Sequence, residues 1–111
     1  MKPEKLDELK AANPNGIFEG EIVFADEEGK THNVCFIYRK PSTADLESYG
    51  KSAKKNPIVA NLNMIQSLIV YPESGPVIDE IREYPTAYGS FVEEALVPFF
   101  GSKVTVKSRK L

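Results

Sequence analysis

Hydrophobic and polar positions change period several times along the chain, and each change is marked by proline or glycine. Leu6 and Leu9 share one face of residues 3–12, with Pro3 in the first turn and Glu4 and Asp7 close behind, which predicts a short helix. Asn13-Pro14-Asn15-Gly16 ends it, because proline stops a helix and Asn-Gly readily takes positive φ. From Ile17 to Ala25 and from Lys30 to Arg39 the residues become β-branched and aromatic, which predicts a hairpin. A loop of Glu27, Glu28 and left-handed Gly29 sets Asp26 opposite Lys30. Phe24 then faces His32, Ile22 faces Val34, Gly20 faces Phe36 and Phe18 faces Tyr38. Strand side chains alternate, so these even positions form the expected core face. Glu19, Glu21 and Val23, set against Ile37, Cys35 and Asn33, form a second face that is half polar and wet.

The remainder reads as helices. Ser42 and Asp45 form a capping box that starts a helix running to about Lys55, with Leu46, Tyr49 and Ala53 on one face. Asn56-Pro57 starts the next helix, in which Ile58, Leu62, Ile65 and Ile69 make an apolar stripe that ends at Tyr71-Pro72. This helix is expected at the centre of the core, with Leu62 and Ile65 beneath the hairpin. A third spans Pro76 to Glu83. A fourth, from about Thr86 to Phe100, carries the stripe Tyr88, Phe91, Val92, Ala95, Leu96 and Phe99 and stops at Gly101. The expected fold is α+β: a short N-terminal helix, a hairpin and about four helices packed on one hairpin face. Val104-Thr105-Val106 offers a short C-terminal edge strand. Residues 1–101 form the domain and residues 102–111 a basic tail, a short strand or a frayed end.

Composition fits one ordinary folded domain. The chain has 111 residues, 41% apolar and 27% charged, and its aromatic bulk comes from six Phe and five Tyr with no Trp. No stretch approaches the ~18 apolar residues of a membrane span and none has the character of a signal peptide, so a cytoplasmic protein is expected. The net charge of −2 is unevenly divided: residues 1–50 carry six basic against ten acidic groups, residues 51–111 eight against six. Lys103, Lys107, Arg109 and Lys110 lie in the tail with no acid among them. Together with Lys51, Lys54 and Lys55 they support an alternative reading, a nucleic-acid-binding accessory protein.

The sequence supplies little that is catalytic. One cysteine and one histidine exclude a zinc site built from those ligands. Cys35 and His32, three positions apart on one strand, fall on opposite faces about 10 Å apart along the chain, which separates thiol from base. The acids at Asp26, Glu27 and Glu28, at Asp79, Glu80 and Glu83, and at Glu93 and Glu94 read as solvated charge. No phosphate-cradling glycine loop or nucleophile elbow is present. No catalytic, cofactor or metal-binding residue is assigned. Binding is expected instead at the last helix's exit, Val97, Phe99 and Phe100. Adjacent phenylalanines diverge by ~100° and cannot both point inward, so an apolar patch is left for self-association or a client helix.

Tyr38-Arg39-Lys40-Pro41-Ser42-Thr43-Ala44-Asp45-Leu46 resembles the junction between hairpin and helix in small phage and prophage tail assembly chaperones. Ala53-Lys54-Lys55-Asn56-Pro57-Ile58-Val59-Ala60, Val70-Tyr71-Pro72 and Tyr84-Pro85 extend the resemblance over residues 36–100, with Asn56 where an acid is more usual. The resemblance implies no catalysis. It implies a helper in the bacterial cytoplasm that binds a helical client, the phage tape-measure protein, and associates with itself.

Overall fold

The structure, a computed structural model, describes residues 3–96, 99 and 108–110. Within them the chain is α+β, with elements in the order α1 (Pro3–Ala12), β1 (Ile17–Ala25), β2 (Thr31–Arg39), α2 (Thr43–Lys55), α3 (Pro57–Leu68), β3 (Ile69–Tyr71), α4 (Ser74–Ile81) and α5 (Pro85–Ala95). Asn13 closes α1 by donating from its side-chain amide to the Leu9 carbonyl at 2.8 Å.

The hairpin takes the expected register throughout, from Ile17 opposite Arg39 to Ala25 opposite Thr31. Its turn explains the accuracy. Gly29 adopts φ +81° and donates to the Asp26 carbonyl at 3.0 Å, while the Asp26 N–H donates to the Lys30 carbonyl at 2.9 Å. Two-for-one pairing at such a glycine fixes which residues meet further along the ladder.

Even positions Ile22, Val34, Phe36 and Tyr38 enter the main core, where they meet Met64, Ile65 and Leu68 of α3, Val77, Ile78 and Ile81 of α4, and Tyr88, Phe91 and Val92 of α5 with Leu96 just beyond it. Phe18 departs from the expectation: at the open end of the hairpin it stays exposed, stacked on Tyr38 at 5.6 Å. Gly20 lies under the Phe36 ring, and a Cβ there would come within 2.6 Å of it, so the ring fills the space a side chain would need.

Both predicted caps form. Ser42 accepts from the Asp45 N–H, and the Asp45 carboxylate accepts from the Ser42 N–H at 2.8 Å. Asn56 accepts from the Val59 N–H at 3.2 Å, with Pro57 in the first turn of α3.

Three expectations are corrected. The helix after Asn56 ends at Leu68, and Ile69–Tyr71 instead forms a third strand, antiparallel to β2 with a register shift between Ile37 and Tyr38. Proline disfavours helix at the residue before it, Tyr71, and β-branched Ile69 and Val70 suit an extended chain. The buried stripe of α3 is accordingly Ala60, Met64, Ile65 and Leu68, with Leu62 only half-buried and Ile58 exposed. Finally, α3 shares the core beneath the hairpin with α4 and α5, which also approach the strands, and it packs most extensively against α2 and α5. The expected strand at Val104-Thr105-Val106 lies outside the described residues.

Candidate functional site

Helices α4 and α5 approach the sheet on its even-numbered face, and the odd-numbered face is largely exposed. Every odd-numbered residue from Glu19 to Ala25 and from Thr31 to Cys35 is exposed. Val23 is 55% exposed, well above what a strand valine shows beneath a covering layer. Where β3 joins β2, Ile37 lies opposite Tyr71 and is buried on this face, while Tyr71 itself remains 36% exposed. Glu19, Glu21, Cys35, Ile37, Tyr71 and Pro72 line an open groove of about 460 Å³. Its floor is apolar and its rim on β1 is anionic. The sequence indicated a mixed, wet face here. It did not indicate Tyr71 and Pro72 as a wall, because that follows from β3, whose only local signals are paired β-branched residues and the proline after Tyr71.

Cys35 lies in this groove, and its thiol donates to the Asn33 side-chain oxygen at 3.1 Å and to a Glu21 carboxylate oxygen at 3.7 Å. Partial loss of hydration, then the negative charge and hydrogen bond of Glu21 and the charge of Glu19, push the pKa of this exposed thiol up. A raised pKa leaves less thiolate and therefore a weaker nucleophile.

His32 lies on the opposite face. Its Nε2 is 2.8 Å from an Asp26 carboxylate oxygen, and its ring stacks on Phe24 with centroids 5.0 Å apart. Asp26 also accepts from the N–H groups of Glu28 at 3.0 Å and Lys30 at 2.9 Å, and the His32 hydrogen bond leads the causes that lower its pKa. Phe24 meets Tyr84 at 4.5 Å, which ties the hairpin tip to the chain ahead of α5. The register set His32 opposite Phe24 but did not single out Asp26 among the neighbouring acids as its partner.

A second polar centre joins β2 to α2. Arg39 donates two hydrogen bonds to Asp45, at 2.6 and 3.2 Å, and one to the Ser67 carbonyl at 3.1 Å. The Arg39 hydrogen bond, opposed by partial burial and assisted by Ser42, lowers the Asp45 pKa from 3.8 to about 2. These contacts brace the corner and occupy both side chains. No cluster of three or more His, Cys, Asp or Glu suited to a metal ion occurs among the described residues.

Of the residues assigned to the helix exit, Val97 and Phe100 lie outside the described residues. Phe99 is half-buried: its N–H donates to the Leu96 carbonyl at 2.9 Å, and its ring rests on Phe18 with centroids 5.1 Å apart. It closes the open end of the core rather than standing free. The tail residues Arg109 and Lys110 are exposed.

Comparison with known proteins adds to the fold. Residues 9–109 match the profile of a family described as a domain of unknown function. No curated protein matches the chain. An uncharacterised protein from Bacillus stearothermophilus has a similar structure, with a TM-score of 0.67 at 21% sequence identity, covering 94% of this chain and 99% of that one. At that identity the likeness speaks for the fold alone.

Proposed function

The chain belongs to the family described as a domain of unknown function (DUF6848), and for this member we propose a non-enzymatic role: binding another polypeptide on the open face of its sheet. The carrying observation is that face, where Tyr71 walls an apolar floor beside Glu19 and Glu21 and Val23 stands exposed further along β1. Apolar surface rimmed by charge is the usual character of a docking site. The polar groups support the same reading. His32 is engaged by Asp26, Asp45 by Arg39, and Cys35 sits in a setting that suppresses thiolate.

Phage tail assembly, with a helical tape-measure protein as client, is the narrower form of this proposal. It rests on the helix-boundary motifs alone, since neither the family description nor the structural relative's name mentions phage or tail. A cytoplasmic setting belongs to the same proposal. No helix among the described residues is long and apolar enough to cross a membrane. The nucleic-acid alternative draws on exposed Lys51, Lys54 and Lys55 and would reveal itself as DNA affinity that falls steeply with salt.

The test is purification of the tagged protein from its source cells. The wild type should carry a bound polypeptide, Val23→Asp with Tyr71→Asp should lose it, and Glu80→Lys on α4 should keep it. A double variant that folds and retains the polypeptide would refute the open face as the site.

A further inference from the structure

We propose that the acidic groove on the open face of one copy receives the cationic corner between α2 and α3 of a second copy, so that chains associate head to tail. This rests on the open face being a protein-docking surface, and it names the occupant.

Glu19 and Glu21 are two positions apart on one strand, so their carboxylates share a face and repel. Opposite them stand Ile37 and Cys35, and neither carboxylate has an ion-pair partner among the described residues. Arg39, at the end of the same face, is held by Asp45 and Ser67. The groove thus presents two uncompensated negative charges over an apolar floor.

The α2–α3 corner presents the reverse. Lys51, Lys54 and Lys55 are exposed at the end of α2, and no acid occurs between Glu47 and Glu73. Just past the Asn56-Pro57 step, in the first turn of α3, Ile58 is 52% and Val59 46% exposed. Two large apolar side chains in water, close in sequence to three lysines that have no ion-pair partner among the described residues, form a small amphipathic surface at the turn between two packed helices. Each surface therefore supplies the charge the other needs, and both bring apolar area. A phosphate backbone would satisfy the lysines but leave Ile58 and Val59 in water.

The two surfaces cannot meet within one molecule. The corner starts α3 and the groove wall follows its end, so the twelve residues of α3 hold them roughly 18 Å apart. Because the surfaces differ, the contact is heterologous and leaves a free groove at one end and a free corner at the other, so assembly continues unless the rotation closes a ring.

Sedimentation of mixed charge-reversal variants tests this. At low salt the wild type's average mass should rise with concentration, and it should fall again as salt screens the contact. Glu19→Lys with Glu21→Lys spoils only the groove, and Lys54→Glu with Lys55→Glu spoils only the corner. Each variant alone should associate at least tenfold more weakly than wild type. Mixed in equal amounts, they keep one intact groove–corner contact and their reversed surfaces also carry opposite charges, so the mixture should recover the association that neither variant shows alone. All four positions are exposed, and thermal melts establish that the variants fold; Gln at the same positions is the milder pair should reversal unfold either one. Wild type that stays monomeric, variants that associate like wild type, or a mixture that stays monomeric overturns the proposal. If wild type is monomeric and yet a different polypeptide crosslinks to Cys35, self-docking fails while the open-face reading stands.

Discussion

Asp45 carries more of the local order than any other single side chain in the β2–α2 corner. It completes the cap on α2, accepts twice from Arg39, and through Arg39 reaches the end of α3 at the Ser67 carbonyl. Its folded pKa, about 2, lies below the ordinary 3.8, so its contribution is present above pH 3.8 and lost as pH falls through about 2. Asp45→Asn should therefore cost about 1–3 kcal/mol at neutral pH. The gap in melting temperature from wild type should close on acidification over that window, and a gap independent of pH would contradict the assignment. Gly20 makes a different demand. Its backbone is unremarkable, but a methyl group there would strike the buried Phe36 ring, which is itself wedged against Phe91 at 5.2 Å. Gly20→Ala should destabilise by about 1–3 kcal/mol through overpacking, read as a lowered denaturation midpoint. Both capping residues were legible because caps are local chemistry. The Gly20–Phe36 pairing was legible as register, but the reason for the glycine needed the ring's position.

At the scale of elements, sequence reasoning succeeds where hydrogen-bond geometry is decided by neighbours and fails where a period fits two structures. The hairpin register follows from one glycine turn, and α5 keeps its predicted face, with Tyr88, Phe91, Val92 and Leu96 all buried. The stripe Ile58, Leu62, Ile65, Ile69 misleads, because helical spacing continues through residues that the coming proline turns into strand. Consequently Ile65, 1% exposed, is the α3 side chain whose loss should matter. Ile65→Ala should cost about 2–5 kcal/mol and Leu62→Ala distinctly less. Equal losses in chemical denaturation would restore the original stripe. The same shift decides what was legible of the candidate site: Glu19, Glu21, Val23 and Cys35 were placed on one wet face from the alternation alone, whereas Tyr71 and Pro72 joined them only through β3. The sequence pointed to the helix exit for binding, yet the one described residue there, Phe99, is spent on Phe18.

At the scale of the whole molecule, α3, α4 and α5 build the main core against the even-numbered face of a three-stranded sheet, and the odd-numbered face carries an apolar groove with an anionic rim. The chain's single cysteine stands in that groove, which makes it a native position for a probe. The most direct measurement attaches a photoactivatable maleimide to Cys35 and identifies, by mass spectrometry, what it captures in extracts of the source cells. The control carries the same label at Asp79→Cys, an exposed position on α4, in a Cys35→Ser background. A docking surface predicts a defined polypeptide adduct from Cys35, abolished by Val23→Asp with Tyr71→Asp and missing from the control. No adduct at Cys35, or equal yields from the two positions, would contradict it.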